Sequence, residues 1–158
     1  MSGFSERPNT LPWPPIIYLA AVAVGIILIW LVPLPWIASP FADILFAIGW
    51  LLIAAAVAMD VAAIRAMNRA NTTVRPDRGS DHLVTSGPFS FTRNPLYLGN
   101  TMIMIGIGLV AGSIWFLVLA LVAAFSTQKL AIEREERHLE VRFGKKFRDY
   151  AKRVRRWI

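Results

Sequence analysis

LYLGNTMIMIGIGLVAGSIWFLVLALVAAF, residues 96–125, contains no charged side chain. An α-helix rises about 1.5 Å per residue, so roughly 20 residues, within a range of about 17–25, cross the ~30 Å of hydrocarbon in a bilayer. The stretch is too long for one ordinary span. Ala111-Gly112-Ser113 near its middle supplies small turn residues, so it reads as two runs, 96–110 and 114–125, folded into a tight helical hairpin.

Two further apolar blocks precede it. Residues 16–32 are uncharged, and Pro33 and Pro35 stop the helix they form. Residues 41–59 make the next block, with Asp43 at its start and Asp60 at its end. Ile64 and Met67 continue an apolar face, so this helix is expected to run on to about Arg69. Asp60 is shallow enough to snorkel or to pair with Arg65; an intramembrane carboxylate is also a functional candidate. Residues 1–15 are polar and proline-rich and read as an irregular lead-in, with Trp13 at the interface. The expected fold is all-α and polytopic. Its four membrane helices lie at about 16–33, 41–67, 95–110 and 113–132, and an amphipathic helix follows near the C-terminus, in a single membrane domain.

Composition agrees with this pattern. The chain has 158 residues, 56% hydrophobic and only 17% charged, with a mean hydropathy of +0.51. Soluble domains run at about 25% charged. There is no cysteine, which removes disulfides, thiolate metal sites and cysteine nucleophiles together. Two histidines, His82 and His138, are too few for a histidine-based metal site, and no metal is expected. A net charge of +7 can indicate nucleic acid. Here, however, all 17 basic residues fall in the lead-in, in 65–93 and in the C-terminal region, while 33–40 and 111–113 carry none. That distribution fits anionic lipid headgroups and the positive-inside rule, not nucleic acid. It puts both termini and the long 70–94 loop in the cytoplasm, in the inner membrane if the source is bacterial.

Two polar pieces hold the candidate chemistry. In the first, Asn94-Pro95 reads as a helix start, with Asn94 capping free N–H groups and Pro95 at the first helical position. A helix N-terminus attracts anions, and Arg93 stands beside it with Tyr97 a short turn further in. A carboxylate- or phosphate-bearing small molecule fits there, and so does an interfacial cap with Arg93 on a lipid phosphate. The second piece runs from Glu133 to Tyr150. Glu133, Glu136 and Glu140 share a helical face, interleaved with Arg134, Arg137 and His138. An inward-facing glutamate can hold a ribose or an amine; a solvated face of ion pairs is the plainer account. Gly144 suits the position past a helix end. Phe147, Tyr150, Ala151, Val154, Trp157 and Ile158 then form an apolar stripe that either lies on the membrane or covers the bundle. No GxGxxG, P-loop or Gly-x-Ser-x-Gly motif is present, so any cofactor must sit among helices.

Together, Gly87-Pro-Phe-Ser-Phe-Thr-Arg-Asn-Pro-Leu-Tyr-Leu-Gly99, the hairpin, Glu135-Glu-Arg-His-Leu139, Phe143-Gly144, Phe147, Tyr150 and Val154-Arg-Arg156 resemble the isoprenylcysteine carboxyl methyltransferase family, itself related to membrane phospholipid N-methyltransferases. The resemblance covers about residues 70–158. It implies an integral membrane enzyme that uses S-adenosylmethionine on a lipophilic acceptor, with the lipid-like substrate entering from the bilayer. Arg93, Asn94, Pro95 and Tyr97 match the family's Arg-His-Pro-x-Tyr pattern, with Asn94 where the prenylcysteine enzymes carry His, and Glu135 and Glu136 match its paired glutamates. The implied catalytic residues are Arg93 and Glu136. Those implied to hold the cofactor are Phe89, Arg93, Asn94, Pro95, Tyr97, Leu98, Glu135 and Glu136. Two other readings stand beside this one: an NADPH-dependent membrane reductase of similar architecture, and a non-enzymatic membrane protein that binds anionic lipid through its basic C-terminal segment.

Overall fold

A computed structural model describes residues 13–71 and 82–158. The lead-in before Trp13 and the middle of the 70–94 loop, where Pro76 favours a turn, lie outside the described residues. All regular structure among the described residues is helical. Helix α1 spans Trp13–Leu31, α2 Phe41–Arg69, α3 Pro95–Ala111 and α4 Ile114–Thr127. A wider π-helical turn, Gln128–Ile132, leads without a break into α5, Glu133–Phe143. Helix α6, Lys145–Arg153, follows a sharp turn at Gly144. Residues 154–158 continue beyond it as a non-helical strap.

The chain is an all-α polytopic membrane protein. Three helical stretches, Trp13–Leu31, Phe41–Arg69 and Ile114–Phe143, are long and apolar enough to cross a bilayer, and Pro95–Ala111 is a shorter apolar helix beside them. Their outward surfaces are those of a protein solvated by lipid. Trp30 is 83% exposed and Leu19 71%, which water would penalise and hydrocarbon does not. Helix α1 starts at Trp13, with Pro14 and Pro15 in the first turn, where a missing N–H removes no helical hydrogen bond.

Lipid tails are as apolar as leucine, so these helices associate through close packing of small residues rather than by hiding grease from water. Helices α2 and α3 are the most extensively packed pair. At their crossing, Gly49 and Gly106 approach so closely that a Cβ on either would lie 2.8 Å from the other's carbonyl oxygen. Ala56 and Ala63 are fully buried along α2. The hairpin between α3 and α4 turns at Gly112, whose φ of 62° is left-handed and whose Cα sits against the Trp36 indole. Helix α1 packs mainly on α4, where Tyr18, Ala21, Met104, Phe116, Ala120 and Ala123 form the buried core.

Three expectations are corrected. The Asn94 side chain makes no capping bond to α3. Its amide is drawn away to the strap, where a backbone carbonyl is a partner that also fixes the chain's end. The apolar stripe of the C-terminus is not one helix: α6 ends at Arg153, and Trp157 and Ile158 lie beyond it. What remains of the stripe turns inward, with Phe147, Tyr150 and Val154 buried against Leu83, Leu139 and Phe143, so it covers the bundle. Asp60 does not meet Arg65. Its carboxylate abuts Gly99 on α3, where the absence of a side chain leaves room, and Oδ1 has no hydrogen-bond partner.

Candidate functional site

Helix α2 carries Met67 to the polar end of the bundle, and α3 starts there with Pro95 as its first residue. The continuous α4–α5 rod brings Glu133, Glu135 and Glu136 to the same end. The π-helical turn matters for this placement. Its wider winding changes which face of the rod the following residues present, and such turns recur where a helix must aim side chains at a site.

Glu135 points toward α3. The Tyr97 hydroxyl donates to Glu135 Oε1 at 2.6 Å. Burial pushes the Glu135 carboxyl up to about 7; the Tyr97 hydrogen bond opposes that rise and the neighbouring Glu136 charge adds to it.

Glu136 faces two guanidinium groups. Arg156 holds it in a fork, Nε to Oε1 at 3.1 Å and Nη2 to Oε2 at 2.6 Å, the bidentate geometry that carboxylates favour. Arg93 Nη2 reaches Oε1 at 3.1 Å, with side-chain exposures of 14% for Arg93 and 15% for Glu136. The Arg93 guanidinium also lies 6.0 Å from the Phe147 ring centroid, and its Nε is buried without a partner. Glu133 is held below its ordinary value, chiefly by the hydrogen bond from Lys129.

The strap ties these pieces together. The Arg93 N–H donates to the Arg155 carbonyl at 3.0 Å. The Asn94 amide donates to the Arg156 carbonyl at 2.9 Å, and the Thr92 hydroxyl to the same oxygen at 3.3 Å. Trp157 Nε1 donates to Gln128 Oε1, in the π-helical turn, at 2.8 Å. Helix α6 is anchored by Tyr150, whose hydroxyl donates to the Phe89 carbonyl at 2.6 Å; burial pushes that phenol up to about 12, with Arg93 opposing.

Two cavities share the Arg93–Glu136 pair and Phe147 as a common wall. One, of about 110 Å³, lies under Leu83, Phe89, Asn94, Glu135 and Leu139. The other, of about 620 Å³, opens between α5 and α6 and is lined by Glu133, Arg137, Glu140, Lys152 and Arg156. Of the sequence-expected residues, Phe89, Arg93, Asn94, Glu135 and Glu136 line the smaller cavity. Tyr97 reaches it through Glu135. Pro95 is fully buried, and Leu98 contributes the first α-helical N–H, bonded to the Asn94 carbonyl at 3.0 Å; neither is among the residues lining these two cavities. Thr92, Gln128 and Arg156 went unmarked as site residues. For Arg156 a signal existed, a basic pair at the end of the apolar stripe with glutamates to answer it. For Thr92 and Gln128 there was none. Among the described residues no group of three His, Asp or Glu side chains is placed to hold a metal ion.

The chain is a polytopic helical membrane protein with a charged, partly enclosed pocket at one end of the bundle. A family model described as phospholipid methyltransferase matches residues 44–146. The chain belongs to that family. It is 42% identical over 77 residues to a protein of Alcaligenes xylosoxydans xylosoxydans named nickel-cobalt-cadmium resistance protein NccN, a match that covers 49% of this chain and 36% of the relative. The chain therefore spans about a third of that relative's length. No solved structure matches.

Proposed function

We propose that this protein transfers the methyl group of S-adenosylmethionine to a lipophilic acceptor, at the junction of the α3 start with α5. The observation that carries the reading is the pair of contacts Tyr97–Glu135 and Arg93–Glu136, which joins two segments far apart in sequence into one polar chamber at the end of an apolar bundle.

The residues fit such a donor by chemistry. Arg93 Nε is a buried donor without an acceptor, suited to a carboxylate oxygen. Glu135 sits where burial has raised it to about 7, and a cationic ligand would favour its ionised form. The smaller cavity is below the roughly 300–1,000 Å³ typical of small-molecule sites, and the larger lies within that range. Only the Arg93–Glu136 pair and Phe147 divide them, so a nucleoside-sized ligand needs that wall to part. S-adenosylmethionine brings an already activated methyl group on a sulfonium. What is asked of the chain is alignment and exclusion of water. Glu136 orients Arg93 and Arg156, Tyr97 fixes the Glu135 carboxyl, and α6 with the strap covers the chamber. In the same reading the polar end and both termini are cytoplasmic, because the basic residues cluster there, and Pro95–Ala111 serves as a fourth span of about 25 Å.

The test is transfer itself. Purified protein in detergent is incubated with methyl-tritiated S-adenosylmethionine and a total membrane lipid extract. Tritium is expected in the organic phase, reduced about tenfold or more in Arg93→Ala and Glu136→Ala. Full labelling by both variants would refute the site, and no labelling by the wild-type chain with any lipid fraction would refute the activity.

A further inference from the structure

The cavity of about 620 Å³ between α5 and α6 carries more positive charge than its own carboxylates answer. Five of its lining residues are Arg or Lys and three are Glu, an excess of two positive charges. Each glutamate already has a cation. Glu136 takes Arg93 and the Arg156 fork. Glu133 takes Lys129 at 2.7 Å and Arg156 at a longer 3.9 Å. Glu140 meets Arg148 at only 3.7 Å. Arg137 and Lys152 are left over, since neither meets a carboxylate among the described residues.

Arg137 is nonetheless held in place. Its Nε donates to the Glu133 carbonyl at 3.1 Å, one turn back on α5. That bond fixes the plane of the guanidinium and leaves its terminal nitrogens without an acceptor among the described residues. The cations of the cavity also come from separate pieces of chain: Arg137 from α5, Arg148 and Lys152 from α6, and Arg156 from the strap. Like charges around one cavity repel each other, and an anion among them replaces that repulsion with attraction. A phosphate monoester carries about 1.5–2 negative charges at pH 7 and offers three strong acceptor oxygens. It matches both the charge excess and the fork of donors that a guanidinium presents. A carboxylate brings one charge and two oxygens. The volume falls within the roughly 300–1,000 Å³ of small-molecule sites, which leaves room for the group that the phosphate esterifies.

We propose that the cavity between α5 and α6 binds a phosphate group, which bridges Arg137, Arg148, Lys152 and Arg156 and so fastens α6 and the strap to α5. A lipid headgroup at the polar end of the bundle and a soluble phosphate ester share this chemistry. The site does not depend on the methyltransferase reading, and no S-adenosyl compound enters its test.

The full-length chain is purified in detergent. Its melting temperature, and the rate at which proteinase K removes the strap, are followed as inorganic phosphate replaces chloride at constant ionic strength. Phosphatidylcholine nanodiscs with and without phosphatidic acid supply the lipid arm. A saturable rise in melting temperature and a several-fold slower loss of the strap are expected with phosphate, with phosphatidic acid or with both; the arm that responds identifies the source. In the double variant Arg137→Gln, Lys152→Gln both effects should disappear. The two side chains are exposed, so the variant should fold, and a cooperative melt in chloride checks that it does. The double variant Lys145→Gln, Lys146→Gln removes the same charge from α6 outside the cavity and should respond as the wild type does. No response of the wild-type chain in either arm would overturn the proposal. So would the same response in both double variants, which would reduce the effect to diffuse attraction by a basic surface.

Discussion

Along α2 and α3, backbone meets backbone at Gly49 and Gly106, and nothing polar crosses except Asp60 against Gly99. At the polar end, Glu136 draws in Arg93 from before α3 and Arg156 from the strap, while the Arg155 and Arg156 carbonyls take N–H and O–H groups from Thr92, Arg93 and Asn94. The bundle is therefore held by shape and the cap by charge and hydrogen bonds. Shape in a bilayer is unforgiving, because a helix pair cannot separate at one residue only. The polar groups of the cap have alternative partners in water, as the chamber proposed above would need in order to admit a ligand.

The widest gap between the two regions should appear on adding a side chain to the bundle. In Gly106→Leu the new Cβ would start 2.6 Å from Ile53 Cγ1 and 2.8 Å from the Gly49 carbonyl oxygen. A cost of about 3 kcal/mol or more is expected, read as the largest fall in detergent melting temperature among these variants. An unchanged melting temperature would mean that the α2–α3 crossing is looser than described.

Glu136→Ala comes next. It strips two guanidinium groups of their shared partner. A buried pair broken on one side costs about 3–5 kcal/mol, but Arg156 is 31% exposed and solvent screens it, so about 2 kcal/mol is expected. Proteolysis of the C-terminal strap should accelerate in this variant and not in Gly106→Leu preparations that remain folded.

Glu135 gives a smaller effect with a distinctive sign. Its carboxyl is raised from an ordinary 4.5 to about 7, so the folded chain binds its proton more tightly than the unfolded chain does. The stability it contributes is fully present below about 4.5 and lost as pH rises through about 7. Glu135→Gln should flatten that part of the melting profile and stabilise the protein above pH 7 by about 1–2 kcal/mol. A slope that persists in the variant would assign the titration elsewhere.

Arg148→Ala should do least. Its contact with Glu140 is 3.7 Å long and both side chains are about half exposed, so the change is expected within about 0.5 kcal/mol.

The same division governs what could be read from the sequence. Uncharged runs announce membrane helices, because hydrocarbon tolerates few charges, and Pro95 and Gly112 mark an end and a turn by backbone chemistry alone. The residues around Arg93, Tyr97, Glu135 and Glu136 were legible as a group through their resemblance to a family. Which partner each one takes was not. Asn94 has the side chain of a helix cap, yet its amide donates to the tertiary Arg156 carbonyl and its oxygen takes no N–H of α3. The period of three and four continues through Trp157, but the strap leaves the helix at Val154 to reach Thr92, Arg93 and Asn94, and no local signal encodes that meeting. The π-helical turn at Gln128–Ile132 is equally silent, since its residues are ordinary helix formers.

The central claim is that the start of α3 and the glutamates of α5 act as one chamber for a nucleoside-type donor. Isothermal titration of adenosylhomocysteine into the purified chain, alongside Tyr97→Phe and Glu136→Gln, tests it most directly. Saturable binding by the wild-type chain, weakened about tenfold or more in each variant (about 1.4 kcal/mol), is the predicted result; equal affinity in all three proteins would contradict it.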